Sequence, residues 1–265
     1  MYGSAVTKAR IDAVLAERGL FPSRSAAAGA VRAGEVRVGA DGPVALRPSQ
    51  LVEPDADLLL DIRPRFVSRG GIKLDNALEA LAIDVAGRDC LDVGASTGGF
   101  SDCLLQRGAA RVVAQDVAYG QLDLRLREDP RVTVLERLNA RSLAPEDLPF
   151  RPGLATVDVS FISLAKVLPA VTSCRAPGGE VLAMVKPQFE LGRERVRKGV
   201  VRDAADRREA ILAVAGSAAE LGLPVRGFAS SGLPGPKGNR ETFVWCGGEG
   251  EALAEMEAAL RGVEP

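Results

Sequence analysis

The chain has 265 residues, 46% of them hydrophobic, and its 34 lysines and arginines nearly balance its 35 acidic residues. These values are typical of a folded protein with one large domain or two unequal ones, and they exclude an intrinsically disordered chain. The apolar runs are far too short to span a membrane, and the start MYGSAVTKAR lacks the apolar core of a signal peptide. We therefore expect a cytoplasmic protein that does not enter a membrane.

The sequence contains no histidine, and its four cysteines are scattered singly, without a CxxC pair. Structural zinc sites need such ligands at short spacing, so we expect no bound metal. Catalysis by serine–histidine or cysteine–histidine pairs is excluded because the imidazole is missing. Any proton transfer near neutral pH must then depend on lysine, carboxylate groups or water.

The N-terminal residues predict a compact basic module. Apolar residues at helical spacing predict a helix at about residues 8–18, and a second helix is predicted between Ser23, which can cap it, and Gly34. Short strands are predicted at 36–38 and 58–60. Four arginines are spaced through this module: Arg10, Arg24, Arg32 and Arg37. A solvated charged face, or a small helical cap that binds nothing, is the alternative interpretation.

A linker is predicted at residues 62–67, because IRPRFV combines a proline with two arginines in an extended pattern. It separates a small domain at residues 1–61 from a large domain at residues 68–265. The large domain begins with a predicted helix that carries Lys73 near its N-terminal turn, where the helix dipole disfavours a cation. The glycines beside this lysine therefore indicate close packing against a neighbour or a ligand.

The stretch LDVGASTGGFSD, residues 91–102, predicts a buried strand that enters a glycine turn and then a helix, a nucleotide-cofactor site. The spacing is not GxGxxG, because Ser96 replaces the second glycine and Asp92 precedes the first. A carboxylate there suits the ammonium and sulfonium groups of S-adenosylmethionine (SAM), so we favour SAM over NAD. An ordinary turn without a ligand is the alternative. The candidate cofactor-binding residues in this stretch are Asp92, Gly94, Ser96 and Gly98.

Strands and helices alternate through the large domain, which predicts an α/β fold with a doubly wound, mainly parallel sheet and one antiparallel strand. Ligands of such sheets bind beyond the carboxyl ends of the strands. Four charged residues follow predicted strands: Asp92, Asp116, Asp158 and Lys186. Asp116 suits the ribose hydroxyls of a nucleoside cofactor, unless it is a surface acid that caps the next segment, and Asn139 could face an adenine edge.

The segment RIDAVLAERGLFPSRSAAAGAVRAGEVRV resembles the S4-type RNA-binding domain, an α+β domain in which two helices and a loop grip RNA phosphates. The resemblance covers residues 7–61, although the turn near Asp41 departs from the usual pattern. It implies that the four arginines of the module bind RNA, and we expect Arg65 of the linker to bind RNA as well.

The combination SRGGIKL, LDVGASTGGF, DVSFIS, VKPQFE and GNRETFVW behind such a domain resembles the TlyA family of ribosomal RNA 2′-O-methyltransferases, once called hemolysins. The resemblance implies a Rossmann-like, SAM-dependent methyltransferase domain of the FtsJ-like type. It also implies cytidines of small- and large-subunit ribosomal RNA as substrates, within ribosomal subunits.

By motif position, this resemblance assigns the catalytic roles to Lys73, Asp158, Lys186 and Glu241, with Glu190 as the alternative for the fourth. A ribose 2′-hydroxyl must lose its proton as the methyl group arrives, and no histidine is present to take it. We expect Lys186 to accept this proton, Lys73 to orient the hydroxyl, and the two acids to hold the ammonium groups. A set of structural salt bridges is the competing interpretation.

The sequence as a whole predicts a monomeric, cytoplasmic enzyme that methylates ribosomal RNA. One alternative is a small-molecule SAM methyltransferase, which the basic module argues against. Another is an RNA- or ribosome-binding protein with a vestigial methyltransferase fold, which the complete set of candidate site residues disfavours. The third is a pore-forming hemolysin, but the sequence has no membrane-spanning or strongly amphipathic stretch.

Overall fold

The computed structural model describes residues 8–39, 42–60, 65–235 and 237–264. The chain divides into two compact units, residues 1–65 and 66–265. Residues 62–64 of the predicted linker, and the unusual turn at Asp41, lie outside the described residues. Phe66 is only 2% exposed and packs in the core of the larger unit. The backbone N–H of Val67 donates a hydrogen bond to the Asp102 carboxylate at 2.8 Å, so the last two residues of the predicted linker belong to the larger unit.

The smaller unit packs two helices and two short antiparallel strand pairs around one apolar core. Its elements are β1 (Ala9–Arg10), α1 (Ile11–Glu17), α2 (Arg24–Arg32), β2 (Val36–Val38), β3 (Leu51–Val52) and β4 (Leu58–Leu60), with β1 paired to β3 and β2 to β4. Ser23 caps α2 as expected, because its hydroxyl accepts the Ala26 N–H at 3.1 Å. The strands β1 and β3 were not predicted, because two residues carry no periodicity.

The larger unit is built on a sheet whose described strands have the order β10-β11-β9-β8-β5-β6-β7. The strands are β5 (Asp89–Val93), β6 (Arg111–Gln115), β7 (Val132–Leu135), β8 (Leu154–Val157), β9 (Glu180–Val185), β10 (Val225–Ser230) and β11 (Thr242–Gly247). Only β11 runs antiparallel to its neighbours within this sheet. The predicted mainly parallel sheet with one antiparallel strand is therefore confirmed.

Helices cover both faces of this sheet, which is why the central strands are mostly apolar and almost completely buried. The helices are α3 (Arg69–Ala80), α4 (Gly99–Gln106), α5 (Leu124–Arg127), α6 (Leu168–Cys174), α7 (Pro187–Glu190), α8 (Ala204–Glu220) and α9 (Met256–Val263). Apolar spacing predicts a helix at 164–171, and the structure has a 3-10 helix at Leu164–Lys166 followed by α6, which begins at Leu168 because Pro169 lacks an N–H and fits only the first turn. Among the described residues, no helix is both long and apolar enough to cross a bilayer.

Candidate active site

The turn after β5 needs glycine at two positions. Gly94 and Gly98 have φ angles of 85° and 95°, in the left-handed region that favours glycine. A side chain at Gly94 would overlap the Asp158 carbonyl group, and one at Gly98 would lie 2.8 Å from the side chain of Leu122. Ser96 also has a positive φ, of 50°, and its N–H donates to the Asp116 carboxylate at 2.7 Å. These contacts fix the turn against the ends of the neighbouring strands.

Two adjoining cavities open at this edge of the sheet. The first has a volume of about 510 Å³, and all four predicted catalytic residues line it. The second, of about 520 Å³, is lined by Asp116 and Asn139 among others. Gly94, Ser96 and Asp158 border both cavities, so the two spaces meet at the glycine turn.

The four predicted catalytic residues form two ion pairs in the first cavity. Lys73 is 8% exposed and its ammonium donates to the carboxylate of Glu241, which is 2% exposed. Lys186 Nζ lies 2.5 Å from Asp158 Oδ1, a close ionic contact without the alignment of a hydrogen bond. The same ammonium donates to the Ser160 hydroxyl at 2.8 Å. Each lysine is therefore paired with an acid, as a charge withdrawn from water requires.

Close packing of two helix ends positions Lys73. The Ser68 hydroxyl caps α3 and accepts the Gly70 N–H at 3.3 Å. A side chain at Gly71 would lie 2.8 Å from the carbonyl oxygen of Gly99, the first residue of α4. The glycines that precede Lys73 thus allow α3 to begin directly against the glycine turn after β5. The negative charge of Glu241 compensates the unfavourable interaction of Lys73 with the helix dipole.

Glu190 lies elsewhere and performs a structural task. Its carboxylate accepts the Ser163 hydroxyl at 2.6 Å and the Leu164 N–H at 2.9 Å. Burial raises the pKa of this carboxyl group above its usual value. The geometry therefore favours Glu241 over Glu190 as the fourth member of the candidate set.

Asp92 does not line either cavity, in contrast to the expectation that it faces the cofactor. It is 0% exposed, and its Oδ2 accepts both the N–H of Ser101 at 2.8 Å and its hydroxyl at 2.7 Å. Burial raises the pKa of Asp92 to about 7, partly countered by these hydrogen bonds. The side chain points towards α4 and joins the end of β5 to that helix, so it supports the turn from inside.

Asp116 and Asn139 lie together in the second cavity. The two Asp116 oxygens accept the N–H groups of Ser96 and Ala118, each at 2.7 Å. Each oxygen keeps a second lone pair for a hydroxyl donor. The Asn139 oxygen accepts the Arg141 N–H at 3.0 Å. The amide NH₂ of Asn139 is thereby left to face a ligand, and both residues could hold a nucleoside.

Sequence reasoning missed several residues in the wall of the first cavity. Among them are Ser160, Phe161, Gln188, Lys237 and Asn239. All lie inside or beside motifs that were singled out, but nothing in their spacing indicates a contact. Phe161 is 91% exposed with a φ of 63°, and its ring centroid lies 5.1 Å from that of Phe189. An aromatic residue three positions after a strand-end aspartate was the one signal in the sequence.

Two arginines of the smaller unit, Arg10 and Arg24, contact a buried acid. Asp12 is paired with Arg10 at 2.7 Å and with Arg24 at 3.2 Å, and both guanidinium groups are largely exposed. The hydrogen bond from Arg10 lowers the pKa of Asp12 below its usual value. Arg32 is exposed in the last turn of α2, and Arg37 donates to the Gly42 carbonyl at 3.4 Å. The unit thus presents cations with a fixed spacing.

Comparison with known families assigns both units. The family described as FtsJ-like methyltransferase matches residues 66–248, and the S4 domain matches residues 9–58. The chain belongs to the FtsJ-like methyltransferase family. The predicted resemblance to the S4 domain is confirmed as well.

Relatives of this FtsJ-like methyltransferase match most of its length. A 16S/23S rRNA (cytidine-2′-O)-methyltransferase, TlyA of Mycobacterium tuberculosis, is 52% identical over 90% of this chain and 89% of its own. Hemolysin A of Brachyspira hyodysenteriae is 34% identical over 88% of this chain and 97% of its own. A solved structure described as a hemolysin from Streptococcus thermophilus has a TM-score of 0.74 and 37% identity, covering 98% of this chain and 95% of that one. The family assignment from the motifs is therefore confirmed.

Proposed function

We propose that this protein is a SAM-dependent enzyme that methylates the 2′-hydroxyl of a ribose in small- and large-subunit ribosomal RNA. More specifically, we propose that this ribose belongs to a cytidine. The observation that carries the proposal is the pair of lysine–carboxylate contacts in one cavity, beside a second cavity that fits a nucleoside. The activity named for the TlyA relative supports ribosomal RNA as the substrate. Such a substrate places the enzyme in the cytoplasm, and we propose that it acts there as a monomer.

The residues of the second cavity fit the nucleoside part of SAM. Asp116 can accept the two ribose hydroxyls, and Asn139 can donate to the adenine edge. The glycine turn at Gly94 and Gly98 lets the chain approach the cofactor closely, because no side chain fits there. When bound, SAM supplies a methyl group on a positively charged sulfur. The boundary shared by the two cavities is where that group would meet the substrate.

The residues of the first cavity fit the activation of a hydroxyl. A ribose 2′-hydroxyl bound between Lys73 and Lys186 would be held in a fixed orientation, which lowers the entropic part of the barrier. Lys186 then accepts the hydroxyl proton as the new carbon–oxygen bond forms. A lysine can do so only as the neutral amine, so Lys186 first releases its own proton to solvent, while Asp158, 2.5 Å from Nζ, holds the nitrogen in place. Glu241 keeps Lys73 in place.

The smaller unit supplies most of the affinity for RNA in this proposal. Arg10, Arg24 and Arg32 expose their guanidinium groups, which suit phosphate oxygens. We propose that Arg37 and Arg65 add two further positive charges for RNA binding. The larger unit then needs to hold a single nucleotide, extruded from its surroundings, at the methyl-transfer site. Binding and chemistry are divided between the two units.

The test is to incubate the protein with labelled SAM and ribosomal subunits from a strain that lacks the enzyme. We expect label in ribosomal RNA, at a ribose 2′-oxygen of a cytidine. Binding of SAM and RNA without transfer would support the vestigial fold instead. Transfer to small molecules but not to RNA would support the small-molecule enzyme, and lysis of red cells by the purified protein would support the pore-forming alternative.

A further inference from the structure

The charged residues in the wall of the first cavity do not balance. They are Lys73, Asp158, Lys186, Lys237 and Glu241. Both acids are occupied, one by Lys73 and the other by Lys186. Within residues 65–235 and 237–264, the structure shows no ion pair for Lys237, which is exposed at the rim. The cavity therefore carries one uncompensated positive charge, and an anionic ligand would be attracted to it.

The turn that carries Lys237 is held in place. The Gly235 N–H donates to the Asn239 carbonyl oxygen, and the Gly238 N–H to that of Gly235, both at 2.8 Å. The Asn239 side chain is buried, donates to the Gly199 carbonyl oxygen at 2.8 Å and accepts the Val201 N–H at 3.0 Å. This side chain thus joins the lysine turn to the opposite segment of the cavity wall.

The side chain of Lys237 packs against the backbone of Gly199. A side chain at Gly199 would lie 3.2 Å from both Cδ and Nζ of Lys237. Gly199 has a φ of 80°, which also favours glycine. The ammonium therefore lies over the backbone of the segment that contributes Gly199 and Val196 to the wall. Its position beside the opening is defined by these contacts, and it does not extend freely into water.

We propose that Lys237 binds the RNA phosphate next to the ribose that is methylated. The inference rests on the proposed function, because it requires an RNA ribose between Lys73 and Lys186. The carbon that bears the reacting hydroxyl is bonded to the carbon that bears the 3′-phosphate, so a phosphate must lie near the opening of the cavity. A lysine ammonium, a compact charge with three donors, suits such a phosphate. The carboxylate of the cofactor is the other anion that could reach this cavity.

The test compares Lys237→Gln, Lys237→Arg and the wild type in steady-state methylation of ribosomal subunits. The matched control is Arg131→Gln, which removes an exposed cation that precedes β7, at the amino edge of the sheet opposite the cavities. We expect Lys237→Gln to raise the KM for RNA roughly fivefold, equivalent to about 1 kcal/mol, without a change in kcat. The salt dependence of binding should fall by about one phosphate contact, a slope change of about 0.7 to 0.9.

Lys237→Arg should keep most of the affinity, and the Arg131→Gln control should match the wild type. The affinity for SAM, measured by calorimetry, should stay unchanged in all variants. Weaker SAM binding by Lys237→Gln with an unchanged KM for RNA would overturn the proposal and assign the charge to the cofactor. Wild-type behaviour of Lys237→Gln in both assays would overturn it too. If the wild type transfers no methyl group to RNA, the proposed function itself is contradicted.

Discussion

In the larger unit, Lys73 and Lys186 lie in a cavity wall, each against a carboxylate, whereas Arg10 and Arg24 of the smaller unit project into water around one buried acid. Both arrangements fix cations with acids, but only the first removes the cations from solvent. A withdrawn charge acts strongly on a neighbouring reacting group, because little water screens it. An exposed charge contributes affinity that salt reduces. Under the proposed function, cations therefore serve chemistry in one unit and RNA binding in the other.

The largest effect should come from replacing Lys186, the lysine of the cavity that we propose accepts the hydroxyl proton. We expect Lys186→Ala to slow single-turnover methylation at least about 100-fold, because general-base catalysis typically contributes that much or more. The affinities for SAM and RNA should persist. Lys186→Arg should fail as well, since a guanidinium group cannot accept the proton. The exposed Lys198→Ala is the control. A near-normal rate for Lys186→Arg would contradict proton acceptance and leave positioning.

Separation of the two units should have the next largest effect. Each has its own apolar core, so deletion of residues 1–61 should leave a folded domain. We expect this domain to bind SAM normally and to lose roughly 99% of kcat/KM on ribosomal subunits, as expected if several phosphate contacts are lost. Circular dichroism and calorimetry check folding and cofactor binding. Methylation at the full-length rate would show that exposed charge in the smaller unit is dispensable.

Two aspartates at strand ends should differ in their effect on the cofactor. Asp116→Ala removes two acceptors from the second cavity, and we expect at least a tenfold loss of SAM affinity. Asp92→Asn should change SAM affinity little, because Asp92 lies inside, against Ser101. Calorimetry on both variants checks this. Equal losses would mean that the buried acid reaches the cofactor after all.

Asp92 also predicts how stability depends on pH, because it is a buried acid without a cation. Its pKa in the folded state is raised to about 7 by burial, above the value of an unfolded aspartate. Between about pH 4 and pH 7 the folded chain binds a proton that the unfolded chain has lost, so this group makes stability fall as pH rises, by up to about 1.4 kcal/mol per pH unit. Urea unfolding of Asp92→Asn should show a flatter profile. Identical dependence of the unfolding free energy on pH in the variant and the wild type would contradict this role of Asp92.

The smallest effect should come from single exposed arginines. Arg10→Ala or Arg32→Ala should weaken RNA binding a few-fold and lower its salt dependence by about one contact, without any change in SAM affinity or kcat. Filter binding across a salt series measures this. Arg10→Ala also removes a partner of Asp12, so a small loss of stability at neutral pH should accompany it. A changed kcat at saturating RNA would place these residues in the chemistry.

Much of the larger unit could be predicted from the sequence, because its strands are continuous apolar runs bounded by turns. The apolar runs at residues 111–115, 132–135 and 180–185 predict strands with the same bounds as β6, β7 and β9. The short helix α7 and the terminal helix α9 were missed, since one is a single turn and the other lacks a capping side chain. The helix predicted from residue 164 is divided into a 3-10 turn and α6, because Pro169 fits only the first turn of an α-helix.

The candidate site could be predicted only in part. Parallel strands bring their carboxyl ends together, which is why Asp158 and Lys186 could be expected as neighbours. The pairing of Lys73 with Glu241 spans most of the chain and depends on the antiparallel strand β11, so local patterns could not reveal it. The inward direction of Asp92 depends on how α4 packs, which spacing does not determine.

The contact between the first turns of α3 and α4 limits which amino-acid substitutions the protein can accept. Gly71 and Gly99 touch through their backbones, and any side chain at either position would collide with a neighbouring atom. In a library of single substitutions, a screen for folded protein alone should already remove every replacement at these two glycines. Replacements of Lys73, two residues further on, should pass that screen more often and disappear only when methyl transfer is selected. Positions where a substitution prevents folding and a position where it prevents only methyl transfer would then lie within one turn of one helix.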